Sequence, residues 1–166
     1  VEDLLKKISS YQLFNFLLSG AIFVAALTKT SNIHLSSDDA VLSFFLYYFI
    51  GLVISRIGSL IVEPILKKLG IIKFRSHADY VRAATLDTKL DTLSQENNTY
   101  RTLIATFLLY IGVYLVDQHF SAWVLAHATL CIISGMISII VLFTLAYHKQ
   151  TKYITSRINS ALQNHP

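Results

Sequence analysis

The sequence predicts an all-α integral membrane protein with four transmembrane helices, the third and fourth extended into the cytoplasm as an antiparallel helical hairpin. Three observations carry this. Of 166 residues, 54% are hydrophobic and 14% charged, with a mean hydropathy of +0.53. A soluble domain of this size cannot bury so much apolar surface. Two prolines and six glycines supply little turn chemistry, which favours long helices. Finally, lysine and arginine fall in particular intervals between the apolar stretches, so the placement of the net charge of +4 says more than its size.

Four stretches approach the roughly 20 apolar residues that a hydrocarbon core of about 30 Å requires: 13–28, 40–66, 102–116 and 122–147. The first and third are short and are expected to borrow length from flanking helix. Lys6 and Lys7 ahead of the first stretch also fit the start of a secretory signal. Three further apolar stretches make a retained span the expectation. The interval 29–39 reads as a polar loop. Residues 117–121, Asp-Gln-His-Phe-Ser, read as a tight one, with Ser121 placed to cap the fourth helix.

The interval between the second and third stretches holds Lys67, Lys68, Lys73, Arg75, Arg82, Lys89 and Arg101. The C-terminal segment adds Lys149, Lys152 and Arg157, whereas the two opposite loops offer Lys29 beside Asp38, Asp39 and Asp117. The positive-inside rule then places both termini and the middle interval in the cytoplasm. The organisation read from this is a cytoplasmic or interfacial N-terminal helix (1–12), helices one and two (13–66), a basic linker with the start of a stalk (67–101), helices three and four (102–147), and a C-terminal stalk extension (148–166). The sequon at Asn97-Asn98-Thr99 lies on the side that glycosylation does not reach.

Leu86, Leu90, Leu93, Asn97, Tyr100, Ile104, Phe107, Ile111 and Tyr114 recur at alternating spacings of four and three, a heptad seam running from charged sequence into the third span. A helix of about 30 residues would be ~45 Å long, leaving roughly a third outside the bilayer. Thr151, Ile154, Ile158 and Ala161 continue the fourth span in the same way. The two extensions are expected to form a stalk in which Leu86, Leu90, Leu93, Tyr100, Ile154 and Ile158 bind a partner. Asn97 either sets register in that seam or solvates the helix at the membrane surface.

Two stripes of small residues, Gly51-Ser55-Ser59 and Ala128-Cys131-Gly135-Ser138, permit close approach of helices, within the chain or between copies. Asn15 and Ser19, one turn apart, suit hydrogen bonds between helices. Arg56, Ser59 and Glu63 share one face of the second span. They form either a polar cluster lining a vestibule, or a snorkelling arginine with an interfacial glutamate. Around Pro64, with the lysines after it, that helix is expected to be near its end. Lys67, Lys68, Lys73 and Arg75 would lie against lipid headgroups, and Ser76 would cap a short helix over 77–84.

His127 reads as an isolated structural ring in the fourth span. His34 and His119 beside aspartates could form a weak external metal or proton site, but no metal-ligand spacing exists. The single cysteine, Cys131, gives no disulfide framework. With no phosphate loop and no nucleophile–base set, no enzyme, no cofactor and no direct nucleic-acid binding is expected.

The stretches 48–68 (YFIGLVISRIGSLIVEPILKK) and 93–101 (LSQENNTYR) resemble a family of small, uncharacterised four-span bacterial inner-membrane proteins. The layout also resembles the membrane subunits of bacterial antiphage systems, that of Kiwa among them. These resemblances imply a non-enzymatic, homo-oligomeric inner-membrane subunit that senses or perturbs the bilayer and couples to a cytosolic protein, with antiviral defence as the implied setting. The alternative expectation is a small oligomeric channel or transporter with Arg56 and Glu63 lining its path.

Overall fold

A computed structural model describes residues 2–31, 35, 38–87 and 89–163, and every regular element among them is helical. The elements are α1 (Glu2–Thr30), α2 (Ala40–Ile57), a π-helical turn (Gly58–Val62), α3 (Glu63–Lys68), α4 (His77–Leu86), α5 (Lys89–Ala126) and α6 (Ala128–Gln163). Four helices are long and apolar enough to cross a membrane: Tyr11–Thr30, Ala40–Lys68, Lys89–Ala126 and Ala128–Asn159. The accessible surface is 12008 Å², against roughly 8,300 Å² for a compact soluble monomer of this mass. Much of the excess is apolar side chain that the chain itself does not cover.

α1, α2 and α5 form the packed block. α1 and α2 run antiparallel and interlock reciprocally: a Cβ on Gly20 would overlap the Tyr47 carbonyl, and one on Gly51 the Phe16 carbonyl. Only glycine lets two backbones come this close, which is how apolar helices gain contact without a hydrophobic force. Gly51 and Ser55 are therefore spent on packing within the chain. Phe16 also meets Tyr48 edge to face at 5.6 Å. Beyond this crossing, Phe23, Val24, Leu27, Ile54, Val62 and Ala105 make one apolar cluster.

α5 crosses α1 in parallel through polar pairs. Tyr11 bonds the Gln95 carbonyl and lies 2.8 Å from the Thr99 hydroxyl. Asn15 Nδ2 donates to Thr102 Oγ1 at 3.4 Å, and Tyr110 donates to Thr30 Oγ1 at 3.0 Å. Asn15 thus bridges helices as expected, whereas Ser19 bonds its own Asn15 carbonyl at 2.7 Å. Thr102 and Thr106 each donate to the carbonyl four residues back, at 2.8 and 2.9 Å, so these hydroxyls stay satisfied while buried.

Several local expectations hold. Ser76 caps α4 through Asp79 N at 3.1 Å; Asp39 caps α2 through Val41 N at 2.8 Å, which the sequence reading did not single out. α1 and α5 extend beyond their apolar stretches. α6 continues to Gln163.

Others need correction. Residues 117–121 lie inside α5, and Ser121 caps nothing. Those five polar and aromatic residues include neither glycine nor proline, and a dip in hydropathy does not break a helix that lacks a breaker. One residue, His127, separates α5 from α6. Its ring stacks on Trp123 at 4.7 Å, and its N–H and C=O bond Trp123 O and Cys131 N, each at 3.0 Å. Leu86 ends α4, so it does not share a helix with the rest of the seam; it is 89% exposed. The seam residues Leu93, Tyr100, Ile104, Phe107 and Ile111 face outward, while α5 buries Thr102, Ala105 and Thr106 instead. α6 meets α4 and the C-terminal end of α2 and has little contact along α5.

The helix ends soon after Pro64, at Lys68, as expected, but passes through the proline itself. Lacking an N–H and crowding the carbonyl four residues back, proline cannot sit in unmodified α-helix. The chain answers by widening one turn: Glu63 N–H bonds Gly58 O, five residues back. The helix then runs on to Lys68 and stops at Gly70, whose φ is +75°. Gly70 N–H bonds Lys67 O and Ile71 N–H bonds Leu66 O, both at 3.1 Å, the Schellman arrangement that favours glycine.

Candidate functional site

The π turn has a chemical consequence. In an α-helix the Ser59 carbonyl would accept from Glu63 N–H, but that donor is taken by Gly58 O, and Pro64 has none to offer. The Ser59 carbonyl is left open on the inner face. Lys149 of α6 fills it, donating to Ser59 O at 2.7 Å and Ser59 Oγ at 2.8 Å. This contact brings α6 back to the charged end of α2.

Glu63, 7% exposed, sits beside it. Its Oε1 lies 2.7 Å from Lys67 and 3.7 Å from Lys149, and its Oε2 lies 2.6 Å from Arg101. One carboxylate therefore joins α3, α5 and α6. Burying a carboxylate costs several kcal/mol and is tolerated when paired and hydrogen-bonded. Three cations around one anion satisfy that and leave positive charge in excess.

The excess grows in the surrounding space. A cavity of about 1750 Å³ opens at this end, and all six helices contribute to its wall. Arg56, Lys67, Arg101 and Lys149 line it from the membrane-length helices, and Lys73, Arg75 and Arg82 from the connecting segment and α4. Glu63 and Asp79 are the acidic residues among the described wall. The apolar part of the wall includes Phe16, Leu52 and Phe143. At the outer rim, Tyr80 donates to Asp91 at 3.0 Å, tying α4 to α5. Partial burial, with the Asp91 carboxylate adding to it, raises that phenol above its ordinary pKa.

Arg56 makes no hydrogen bond or ion pair with any described residue, and it lies within Coulombic reach of Arg101. Glu63 does not bridge to it. Arg101 Nε and Asn15 Oδ1 are buried without partners. Asn15 is 3% exposed and lines the same cavity.

Of the residues singled out from sequence, Arg56, Ser59 and Glu63 come together here, with Lys67, Lys73 and Arg75 but without Lys68. Leu86, Leu90, Leu93 and Asn97 form part of the rim; Asn97 lies within α5 and caps nothing. Tyr100, Ile154 and Ile158 are exposed elsewhere. The stripe Ala128, Cys131, Gly135 and Ser138 meets no neighbouring helix at Gly135. His34 is outside the described residues, and no group of three metal-ligating side chains forms among those described.

Arg101 and Lys149 enter the sequence reading only as markers of sidedness. Their pairing with Glu63 was not legible, since it spans 38 residues for Arg101 and more than twice that separation for Lys149. Pro64 after Glu63 was the available signal for an open carbonyl. No protein-family model, curated protein or solved structure matches the chain.

Proposed function

We propose that the chain is a non-enzymatic subunit of a bacterial inner membrane, crossing it four times with both termini in the cytoplasm. In this reading α5 and α6 are the two arms of an antiparallel hairpin. α4, the start of α5 and the end of α6 project together as a cytoplasmic head, which couples the bilayer to a cytosolic protein. The subunit works as a homo-oligomer, and its layout suits a role in antiphage defence.

The observation that carries this reading is the exposed apolar set Leu86, Leu93, Ile154 and Ile158. These residues stand in charged sequence at the end where the lysines and arginines gather. Leu93, Ile154 and Ile158 lie at the charged ends of the membrane-length helices, beyond the apolar stretches 102–116 and 122–147, where a protein surface would cover them. The alternating directions of α1, α2 and α5 and the return of α6 to Ser59 fit four passes. Glu63 argues against the channel alternative, because a carboxylate held by three cations is not free to serve a permeating ion.

A photoreactive residue in place of Leu93 or Ile158 tests the reading in intact cells. Cross-links from both positions to one soluble protein are expected. Cross-links confined to lipid or to periplasmic proteins would sink the cytoplasmic head.

A further inference from the structure

We propose that the cavity at the charged end is a binding site for an anionic phospholipid whose headgroup carries free hydroxyls, of the phosphatidylglycerol type. Its phosphodiester would lie between Arg56 and Arg101, and its acyl chains would leave along Leu52 and Phe143.

Three features point there independently. The first is charge. Glu63 is shared by Lys67, Arg101 and Lys149, and Arg56 adds a further partly buried cation without an anion of its own. Cations withdrawn from water call for a counter-charge, and a phosphate oxygen accepts well from guanidinium donors. The second is the pair of unmet polar atoms. Arg101 Nε is a donor without an acceptor, and Asn15 Oδ1 is an acceptor without a donor. A phosphodiester satisfies the first and a headgroup hydroxyl the second, whereas bare phosphodiester oxygens would leave Asn15 unmet. The third is the wall. Leu52 and Phe143 belong to membrane-length helices and line the same cavity as the cations. That combination fits an amphiphile better than a soluble ion.

Glu63 and Lys149 hold the helices around the site, and Arg56 is the residue that is free to bind. The inference rests on the membrane reading above, and its test separates the two. The full chain is first extracted from membranes with carbonate; release into the soluble fraction would end the membrane reading itself. Retained protein is then placed in nanodiscs of phosphatidylcholine with or without phosphatidylglycerol, and bound lipid is read by native mass spectrometry beside the thermal midpoint.

Phosphatidylglycerol is expected to be retained selectively and to raise the midpoint. Arg56→Gln should lower the selectivity roughly fivefold, in line with about 1 kcal/mol per basic residue facing an anionic headgroup. Arg56→Lys should restore part of it, and the midpoint of each variant in phosphatidylcholine alone reports whether the fold is intact. Equal retention of both lipids by the wild type, or unchanged selectivity in Arg56→Gln, overturns the proposal. So does an equal rise in midpoint with inorganic phosphate or soluble glycerol phosphate, which would assign the site to a free anion.

Discussion

α1 and α6 are both long and apolar, yet 39% of an 18-residue window of α1 is buried in the chain and none of the corresponding window of α6. Hydropathy cannot separate them; contact chemistry does. α1 carries a glycine opposite a backbone, a serine and an asparagine beside threonines, and a tyrosine at each end of its crossing with α5 counting the partner's. α6 carries small residues too, but its Gly135 meets nothing within 4 Å. Small side chains permit close approach, and a complementary surface must still be present. α6 is held instead at its charged end, by Lys149 on Ser59 and Glu63.

The sharpest way to break this contrast is at its hinge. Glu63→Ala should destabilise by about 3–5 kcal/mol, because it leaves three cations facing one another without their anion. Thermal unfolding in detergent measures the loss. A change under about 1 kcal/mol would mean that the network is solvated and adds little, as exposed pairs do. Next comes Gly51→Leu, expected to cost about 3 kcal/mol, the upper end for overpacking, since the obstacle is the Phe16 backbone. Gly135→Leu is its control and should stay within about 0.5 kcal/mol in the isolated chain. If Gly135→Leu proves as harmful as Gly51→Leu, α6 is covered by a second copy and the contrast belongs to the isolated chain alone. Thr102→Val is expected to cost less than Glu63→Ala or Gly51→Leu, about 1 kcal/mol, for an interhelical hydrogen bond at Asn15. A null result there would assign the α1–α5 crossing to shape alone.

The helical class, the four long apolar stretches and the cap at Ser76 were legible because they depend on local composition and spacing. Arg56, Ser59 and Glu63 were legible as neighbours for the same reason, although the widened turn between them rotates Glu63 off the face that α-helical spacing gives. The break at His127 was not, since neither glycine nor proline marks it, while the polar run 117–121 imitates a loop without any residue that would stop a helix. The seam in α5 was visible as a period, but periodicity does not say which face finds a partner. Thr102 and Ala105 won the interface with α1 and α2 because they are small, and the larger seam residues were left outside. The charge network was hidden in another way. Arg101 and Lys149 read as topology markers, and nothing local tells which of many lysines and arginines reaches a given carboxylate.

The widened turn before Pro64 acts as a phase shift within a single rod. One inserted residue rotates everything after it by about 100° relative to everything before it. The stretch before the shift keeps its glycine face toward α1, and the stretch after it presents Glu63 toward α5 and α6. A single helix thereby addresses neighbours on different sides. Pro64→Ala would remove the reason for the offset and give the Ser59 carbonyl back to its own helix, leaving Lys149 without its backbone acceptor. The most rigid residue in α3 thus supplies α6 with its backbone point of attachment.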